Sequence, residues 1–229
     1  MAVIVVGVLL ALAVNGWNQD RLDVRLGNEY VDRLISDLEA DATRMDGLVA
    51  ALRSKDSSLV DLESGATSPD SESIADLVEA VANSLTLAFN APSVRTTTID
   101  EMKSTGRLPL IRSSEIRDTL LLYYSLALNA EERLEGRMTR YPDRVFERVP
   151  QSLLAWRRIA ARDRNESGEL PANLRLEDGR ILRAWLSEPE TASLINAERN
   201  YSSQAIQILE SNRDFALELI RTLRELRDG

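Results

Sequence analysis

One short segment of this chain combines two hydroxyl groups, a glycine and a cation. Ser104, Thr105, Gly106 and Arg107 follow one another at the end of a pattern typical of a short helix. Backbone N–H groups in such a turn, together with a guanidinium group, can bind an anion. We favour the structural alternative, in which the segment is a helix C-terminus closed by glycine and followed by an apolar connector. These four residues are the candidate contact for an anion or a protein partner.

A polar loop further along the chain resembles the first part of a calcium-binding loop. Asp163, Asn165 and Ser167 alternate and Gly168 follows them, and Ca²⁺ prefers such oxygen ligands around a sharp turn. Position 12 of this loop is Leu174, where a bidentate glutamate is needed. We therefore favour a surface loop, and we predict neither a metal site nor a cofactor.

Three tyrosines form the last candidate site. Tyr123, Tyr124 and Tyr201 lie in segments with helical periodicity. Together they would supply an aromatic ligand pocket, as in helical sensor domains. We favour packing in the core instead, with the hydroxyl groups at its rim, because a tyrosine ring buries well while its hydroxyl seeks a partner.

The composition excludes several classes of function. The chain of 229 residues has no Cys and no His and carries a net charge of -9. Thiol catalysis, histidine-dependent triads and the usual zinc sites are therefore excluded. Nucleic acid is excluded as a partner, because binding it requires a basic surface. No pair of carboxylates is placed for acid–base catalysis, so we predict that the protein is not an enzyme.

The first 17 residues are apolar almost without interruption. From Ala2 to Val14 every residue is apolar or glycine. As a helix this segment would be about 24 Å long, a little short of the roughly 30 Å of a hydrocarbon core. A tryptophan at its end suits the headgroup level. We predict a transmembrane helix over residues 1–17 in contact with the lipid bilayer; a signal peptide and a buried core helix are the alternatives. The anchor residues that we single out are Val5, Gly7, Leu10 and Trp17.

A heptad repeat follows this anchor directly and predicts a helix over about residues 18–63. Apolar residues fill the a positions of the heptads and part of the d positions. The other three d positions hold Gly27, Asp41 and Lys55. These interruptions would weaken a seam between two chains, so we predict one face of an intramolecular bundle. The apolar residues of the stripe are Val24, Val31, Leu34, Leu38, Met45, Leu48, Leu52, Leu59 and Leu62.

The remaining sequence also has helical periodicity. Thr98 and Glu101 match a capping box, which predicts a short helix from Thr98 that ends at Gly106. Longer helices are predicted over about residues 114–141, where Pro142 kinks or ends the helix, and over about 190–227. Without alternating period-2 runs, we expect almost no sheet. The predicted fold class is all-α: an N-terminal transmembrane helix continuous with a long helix, packed in an antiparallel bundle over residues 18–229.

Two blocks of the sequence resemble the signature of a family of uncharacterised bacterial single-pass membrane proteins. The first runs from Val5 to Leu12 and continues as Asn15-Gly16-Trp17-Asn18, similar to the family's "GILIALQINNWNE". The second runs from Ile99 to Leu108, with a tyrosine pair following, similar to its "ELKSSGKL-LI … YY" block. The resemblance covers about the first 125 residues. It implies a helical extramembrane domain on a single span in the bacterial inner membrane, and it implies no activity.

Two indications in the sequence point to opposite orientations of the predicted span. Arg21, Arg25 and Arg33 follow it, which favours a cytoplasmic domain by the positive-inside rule. The basic segment that usually precedes the span in the family favours the opposite, and we expect most of the chain in the periplasm. Our leading hypothesis is a non-enzymatic scaffold or accessory subunit that binds other membrane proteins through its anchor and bundle. The alternative is a ligand-sensing helical bundle tethered to the membrane.

Overall fold

The computed structural model describes residues 2–67, 74–85, 94–135, 139–154 and 177–228, and for residues 2–13 it describes the backbone alone. Within these ranges the chain is helical and contains no strand, which confirms the all-α prediction. A 3₁₀ turn spans Leu108–Leu110, and residues 151–154 are also helical. The helices are α1 (Ala2–Thr67), α2 (Ile74–Ser84), α3 (Thr97–Ser104), α4 (Ser114–Glu135), α5 (Tyr141–Arg148), α6 (Glu177–Leu186) and α7 (Pro189–Asp228).

Helix α1 is unbroken from Ala2 to Thr67, as predicted for an apolar helix that continues into the heptad helix, and it ends four residues beyond the predicted end near 63. The sequence contains no proline within these limits, so nothing interrupts the ladder of backbone hydrogen bonds. The apolar segment and the heptad segment are therefore one helix.

The chain divides into two compact units. The first comprises Met1–Arg44, Ser93–Asn129 and Ser211–Gly229, and the second comprises Met45–Pro92 and Ala130–Glu210. Helices α1, α4 and α7 contribute residues to both units. Each unit therefore has its own core, built on a different part of the same long helices.

In the first unit, α1 and α7 run antiparallel. Arg227 donates a hydrogen bond of 2.9 Å to Asp32, and Arg224 pairs with Glu39, about two turns further along α1. Between them lies an apolar core that α3 and α4 complete. Its most buried members include Leu34, Leu38, Ile99, Met102, Leu120, Tyr123, Tyr124, Leu219 and Leu223.

The second unit repeats the antiparallel arrangement of α1 and α7. Arg199 donates a hydrogen bond of 3.0 Å to Glu63, and Arg53 donates one of 2.6 Å to Glu210. Helices α2, α5 and α6 pack against this pair. The buried residues of this core include Leu59, Leu62, Leu77, Val81, Tyr141, Val145, Leu182, Trp185 and Ile195.

In the first unit, two interruptions of the heptad stripe are explained by what packs against them. A Cβ atom at Gly27 would lie 3.0 Å from the carbonyl oxygen of Leu110, so the 3₁₀ turn approaches α1 where α1 has no side chain. Asp41 is 1% exposed, and its carboxylate accepts the backbone N–H of Arg95. Both residues are therefore contact points for the chain that crosses α1.

Helix α4 is shorter than the predicted helix over residues 114–141. It ends at Glu135, and α5 begins separately at Tyr141 with Pro142 in its first turn. A proline fits there because the first N–H groups of a helix have no intrahelical partner. Pro142 thus helps to start a helix, and the prediction that it kinks or ends the preceding one was wrong.

Among the residues whose side chains the structure describes, no helix has the length and apolarity needed to cross a membrane. Residues 2–13, which form most of the predicted anchor, lie outside that part of the chain.

Candidate functional site

A cluster of charged side chains joins α3 to α1 in the first unit. The carboxylate of Glu101 accepts hydrogen bonds of 2.6 Å from the hydroxyl of Tyr30 and from the guanidinium of Arg33. Arg107 donates to the same tyrosine oxygen at 2.5 Å and lies 3.9 Å from Glu101. We call these four residues the Glu101 cluster.

The Glu101 cluster is partly open to solvent and strongly polarised. The hydrogen bond from Arg33, followed by that from Tyr30, lowers the pKa of Glu101 to about 2. The guanidinium groups of Arg33 and Arg107 also lie 5.2 and 5.7 Å from the centre of the Tyr30 ring, within range of a cation–π interaction. Two half-exposed cations therefore surround one carboxylate, which leaves a local positive charge on an acidic protein.

The predicted anion segment forms the C-terminal cap of α3. Gly106 has φ +68°, a conformation that glycine adopts without a steric penalty. The N–H of Arg107 donates to the carbonyl of Met102 at 2.8 Å, and the N–H of Gly106 donates to that of Lys103 at 3.3 Å. This is the Schellman arrangement. These backbone donors are used by the helix end, as the structural alternative predicted.

The hydroxyl groups of the same segment are also engaged. Ser104 and Thr105 both donate to the backbone carbonyl of Glu101, at 3.1 and 2.6 Å. Of the four predicted residues, only Arg107 places its charged group in the Glu101 cluster. An anion or an acidic partner would therefore meet Arg107, which the sequence predicted as such a contact, and Arg33, which it did not.

The capping box predicted at Thr98 is wrong. Helix α3 begins at Thr97, and its cap residue Thr96 makes no side-chain capping bond. Thr98 donates instead to Asp37 on α1 at 2.5 Å, and Glu101 binds the side chains described above. Partners on α1 occupy both side chains, so neither folds back on its own helix end.

The predicted tyrosines are packed or bonded within their units. Tyr123 and Tyr124 are each 1% exposed, with an edge-to-face contact of 5.2 Å between ring centres. Burial raises the pKa of both hydroxyls above its usual value. Tyr201 belongs to the second unit, where its hydroxyl donates to the carbonyl of Leu134 at 3.0 Å. The hydroxyls of Tyr123 and Tyr124 lie in the interior and not at the core rim, contrary to our expectation.

A groove runs beside Tyr201 in the second unit. Its volume is about 590 Å³, within the range of small-molecule sites. The groove is lined by Glu132, Arg133, Leu134, Tyr201, Gln204, Ala205, Gln207 and Ile208.

A buried ion pair in the second unit is a site that the sequence analysis missed. Lys55 of α1 contacts Glu198 of α7, and their side chains are 0% and 2% exposed. Thr139 donates to the other oxygen of the same carboxylate. The available signal was a lysine in the apolar stripe of a heptad, because a cation there needs a buried partner.

The remaining predicted residues stand as follows. Asp163, Asn165 and Ser167 lie outside the described residues, and Val5, Gly7 and Leu10 lie in the part of α1 of which only the backbone is described. Trp17 is 62% exposed, and the guanidinium of Arg21 lies 5.1 Å from its ring. Within the described part of the chain, no group of three or more acidic side chains is arranged to hold a metal ion.

Comparison with protein-family models, with curated proteins and with solved structures finds no match to this chain.

Proposed function

We propose that this protein is a non-enzymatic, membrane-anchored helical scaffold, or accessory subunit, of a larger protein complex in the bacterial inner membrane. The bulk of the chain lies in the periplasm. The observation that carries the proposal is the continuity of α1 from Ala2 to Thr67. The helix that contains the apolar segment also contributes to the core of both units.

The length of α1 suits it for holding a partner away from the bilayer. Beyond Trp17 the helix continues for about 75 Å at roughly 1.5 Å per residue. The apolar segment and the part of α1 in the first unit belong to one helix without a break. A helix that barely spans the hydrocarbon core favours contact with other membrane helices, which supports assembly with membrane protein partners.

An exposed face of α4 supports the binding of a protein partner. No charged residue occurs from Thr119 to Ala130, although 28% of the chain is charged. On this stretch Leu122, Leu126 and Leu128 are 53%, 45% and 46% exposed. Depletion of charge together with exposed apolar side chains is typical of the core of a protein interface.

Size analysis of the full chain, extracted from its native membranes in mild detergent, tests the proposal. We expect a complex larger than the protein alone, and loss of that complex when Leu122 and Leu126 are both replaced by Glu. Leu217→Glu on α7 is the matched control, since Leu217 is 50% exposed. If the wild-type chain always elutes as a monomer, the scaffold proposal fails.

The absence of cysteine allows the location to be tested separately. Ser125 is exposed on the same face of α4, and Ser125→Cys would be the single thiol of the chain. In intact inner-membrane vesicles of right-side-out orientation, a membrane-impermeant maleimide should label it. Labelling only after the membrane is broken would place the bundle in the cytoplasm. If a carbonate wash releases the chain from the membranes into the supernatant, the proposed membrane anchor is wrong.

The second candidate function is a ligand-sensing bundle tethered to the membrane. The groove of about 590 Å³ beside Tyr201 supports it. Anilinonaphthalene sulfonate, an aromatic anion that matches Tyr201 and Arg133, is a suitable probe. Binding that saturates and is lost on Ile208→Trp would favour this function, whereas binding that Ile208→Trp leaves unchanged would exclude the groove.

A further inference from the structure

The exposed face of α4 follows a heptad repeat. Residues at alternating intervals of four and three share one side of the helix, and each of them is exposed or half-buried. Because α4 is unbroken from Ser114 to Glu135, these residues form a continuous stripe of about 27 Å, or about five turns. We call it the α4 stripe, and its residues are Glu115, Thr119, Leu122, Leu126, Asn129 and Arg133.

The polar residues inside the α4 stripe are hydrogen-bonded to their own helix. The hydroxyl of Thr119 donates to the carbonyl of Glu115, and the side-chain amide of Asn129 donates to the carbonyl of Ser125, each at 2.8 Å. Packing against a partner leaves both bonds intact, which lowers the cost of burying these groups. The middle of the stripe is therefore suited to a dry contact between helices.

The two ends of the α4 stripe carry opposite charges. Glu115 lies in the first turn of α4 and Arg133 in its last turn, and both side chains are exposed. A helix that packs along the stripe therefore needs a cation opposite Glu115 and an anion opposite Arg133. The helix dipole favours an acid in the first turn of that helix and a base in its last turn. Both requirements are met when the partner helix runs antiparallel to α4.

A second copy of this chain, anchored in the same bilayer, does not meet these requirements. Leu110, just before α4, lies against Gly27 of α1, and Leu134 near the end of α4 packs against the cluster that includes Met45. Helix α4 therefore runs in the same direction as α1. Two chains anchored in one membrane can bring their α4 helices together only in parallel, which places like charges against each other at both ends of the stripe.

We propose that the α4 stripe docks an amphipathic helix of a different membrane protein, with an acidic residue in its first turn, a basic residue in its last turn and apolar residues between them. This helix runs antiparallel to α4, so that its acid pairs with Arg133 and its base pairs with Glu115. The inference rests on the proposed function, because the shared bilayer is what separates a foreign helix from a second copy. Since α4 runs away from the anchor, the docked helix runs toward the membrane.

A synthetic peptide is a defined probe for the full chain in mild detergent. The α4 stripe is complementary to itself when it is read antiparallel, because each residue then faces the one at the same distance from the other end. The matching peptide carries the residue types of the stripe at the same spacing, on a background of alanine and glutamine. The control peptide has its Glu and Arg exchanged. Fluorescence anisotropy of the labelled peptides gives both dissociation constants.

The charges at the ends should decide which peptide binds. We expect saturable binding of the matching peptide and about tenfold weaker binding of the control peptide, since two ion pairs are replaced with two contacts between like charges. Glu115→Arg combined with Arg133→Glu in the protein should reverse this preference. Equal affinity for the two peptides, or no saturable binding of either, would overturn the proposal.

The apolar middle of the stripe has a matched control on the same helix. Leu126→Ala should weaken binding of the matching peptide about tenfold, whereas Leu128→Ala should leave it unchanged. Leu126 and Leu128 are 45% and 46% exposed, but Leu128 lies about 200° away around the helix axis. Equal effects of the two variants would contradict docking along the stripe.

Two further outcomes separate this inference from its alternatives. Thr119→Cys would be the single thiol of the chain, and a disulfide-linked dimer of this variant in native vesicles would replace the foreign helix with a second copy in parallel. If the peptide binds as expected but native membranes yield only a monomer, the α4 stripe remains a helix-binding surface and the scaffold proposal fails. If a complex from native membranes survives Leu126→Ala and neither peptide binds, the scaffold proposal stands and the docking site is wrong.

Discussion

Replacing Lys55 with Met should destabilise the second unit by about 3–5 kcal/mol, because it leaves the carboxylate of Glu198 buried without its cation. The carboxylate is 2% exposed and would keep only the hydrogen bond from Thr139. Methionine has nearly the volume of the lysine stem, so the lost charge, and not a cavity, accounts for the effect. Against a typical total stability of about 5–15 kcal/mol, this loss is large.

Removing both charges should cost much less than removing either one. In Lys55→Met with Glu198→Leu no buried charge remains, and apolar replacement of a buried ion pair is often neutral or stabilising. The hydroxyl of Thr139 loses its acceptor, which costs about 1–3 kcal/mol if it stays dry. We therefore expect the double variant to be more stable than both single variants.

Amide hydrogen exchange on the α7 residues around Glu198, measured over a urea series, gives the free energy of opening of the second unit. Arg53→Met is the matched control. It removes a cation from the same helix and breaks a 2.6 Å pair with Glu210, but its side chain is 65% exposed, so we expect at most about 1 kcal/mol. If Lys55→Met is as mild as Arg53→Met, or if the double variant is the least stable, the reasoning from a desolvated ion pair is refuted.

Three further predictions concern the first unit and the glycines of α1. The carboxyl of Glu101 should titrate with a pKa of about 2. Because this pKa is below its value in the unfolded chain, the contribution of Glu101 to folding stability is complete above about pH 4.5 and disappears as the pH falls through 2. A carbon-13 titration that gives a pKa of about 4 or more would contradict the Glu101 cluster. Gly27→Ala should destabilise the protein by about 1–3 kcal/mol, since its Cβ would lie 3.0 Å from a backbone carbonyl oxygen. Gly47→Ala, with nothing within 4 Å, should stabilise it by about 0.5–1 kcal/mol, and equal thermal shifts of the two variants would disprove the close approach. Gly106→Ala should cost about 1–2 kcal/mol because Gly106 has φ +68°, and an unchanged urea midpoint would rule out the left-handed cap.

The sequence predicted α1 well because a heptad stripe is a local, repeated signal. It did not predict what the interruptions of that stripe do. Gly27, Asp41 and Lys55 looked like weak points of a seam, and each has a specific partner or neighbour that comes from a distant part of the chain. Polar residues in an apolar stripe were the visible signal, but their partners are fixed only by the fold.

The candidate site shows the same division between local and tertiary information. The glycine cap of α3 depends on a left-handed residue and its neighbours, and the spacing around Gly106 was sufficient to predict it. The capping box at Thr98 was wrong because Glu101 and Thr98 have stronger partners on α1. Local propensity yields in such cases to contacts between helices. The Glu101 cluster could not be predicted, since Tyr30 and Arg33 lie about 70 positions earlier in the sequence.

The continuity of α1 has a consequence for how this gene can change by insertion and deletion. One residue added within the helix turns everything beyond it by about 100° and advances it by about 1.5 Å. An insertion near Gly47 would therefore move Lys55 and Leu59 off the buried side of the second unit, although Gly47 itself is exposed. Seven residues restore the phase to within about 20°. We expect viable length variants of α1 to differ by whole heptads.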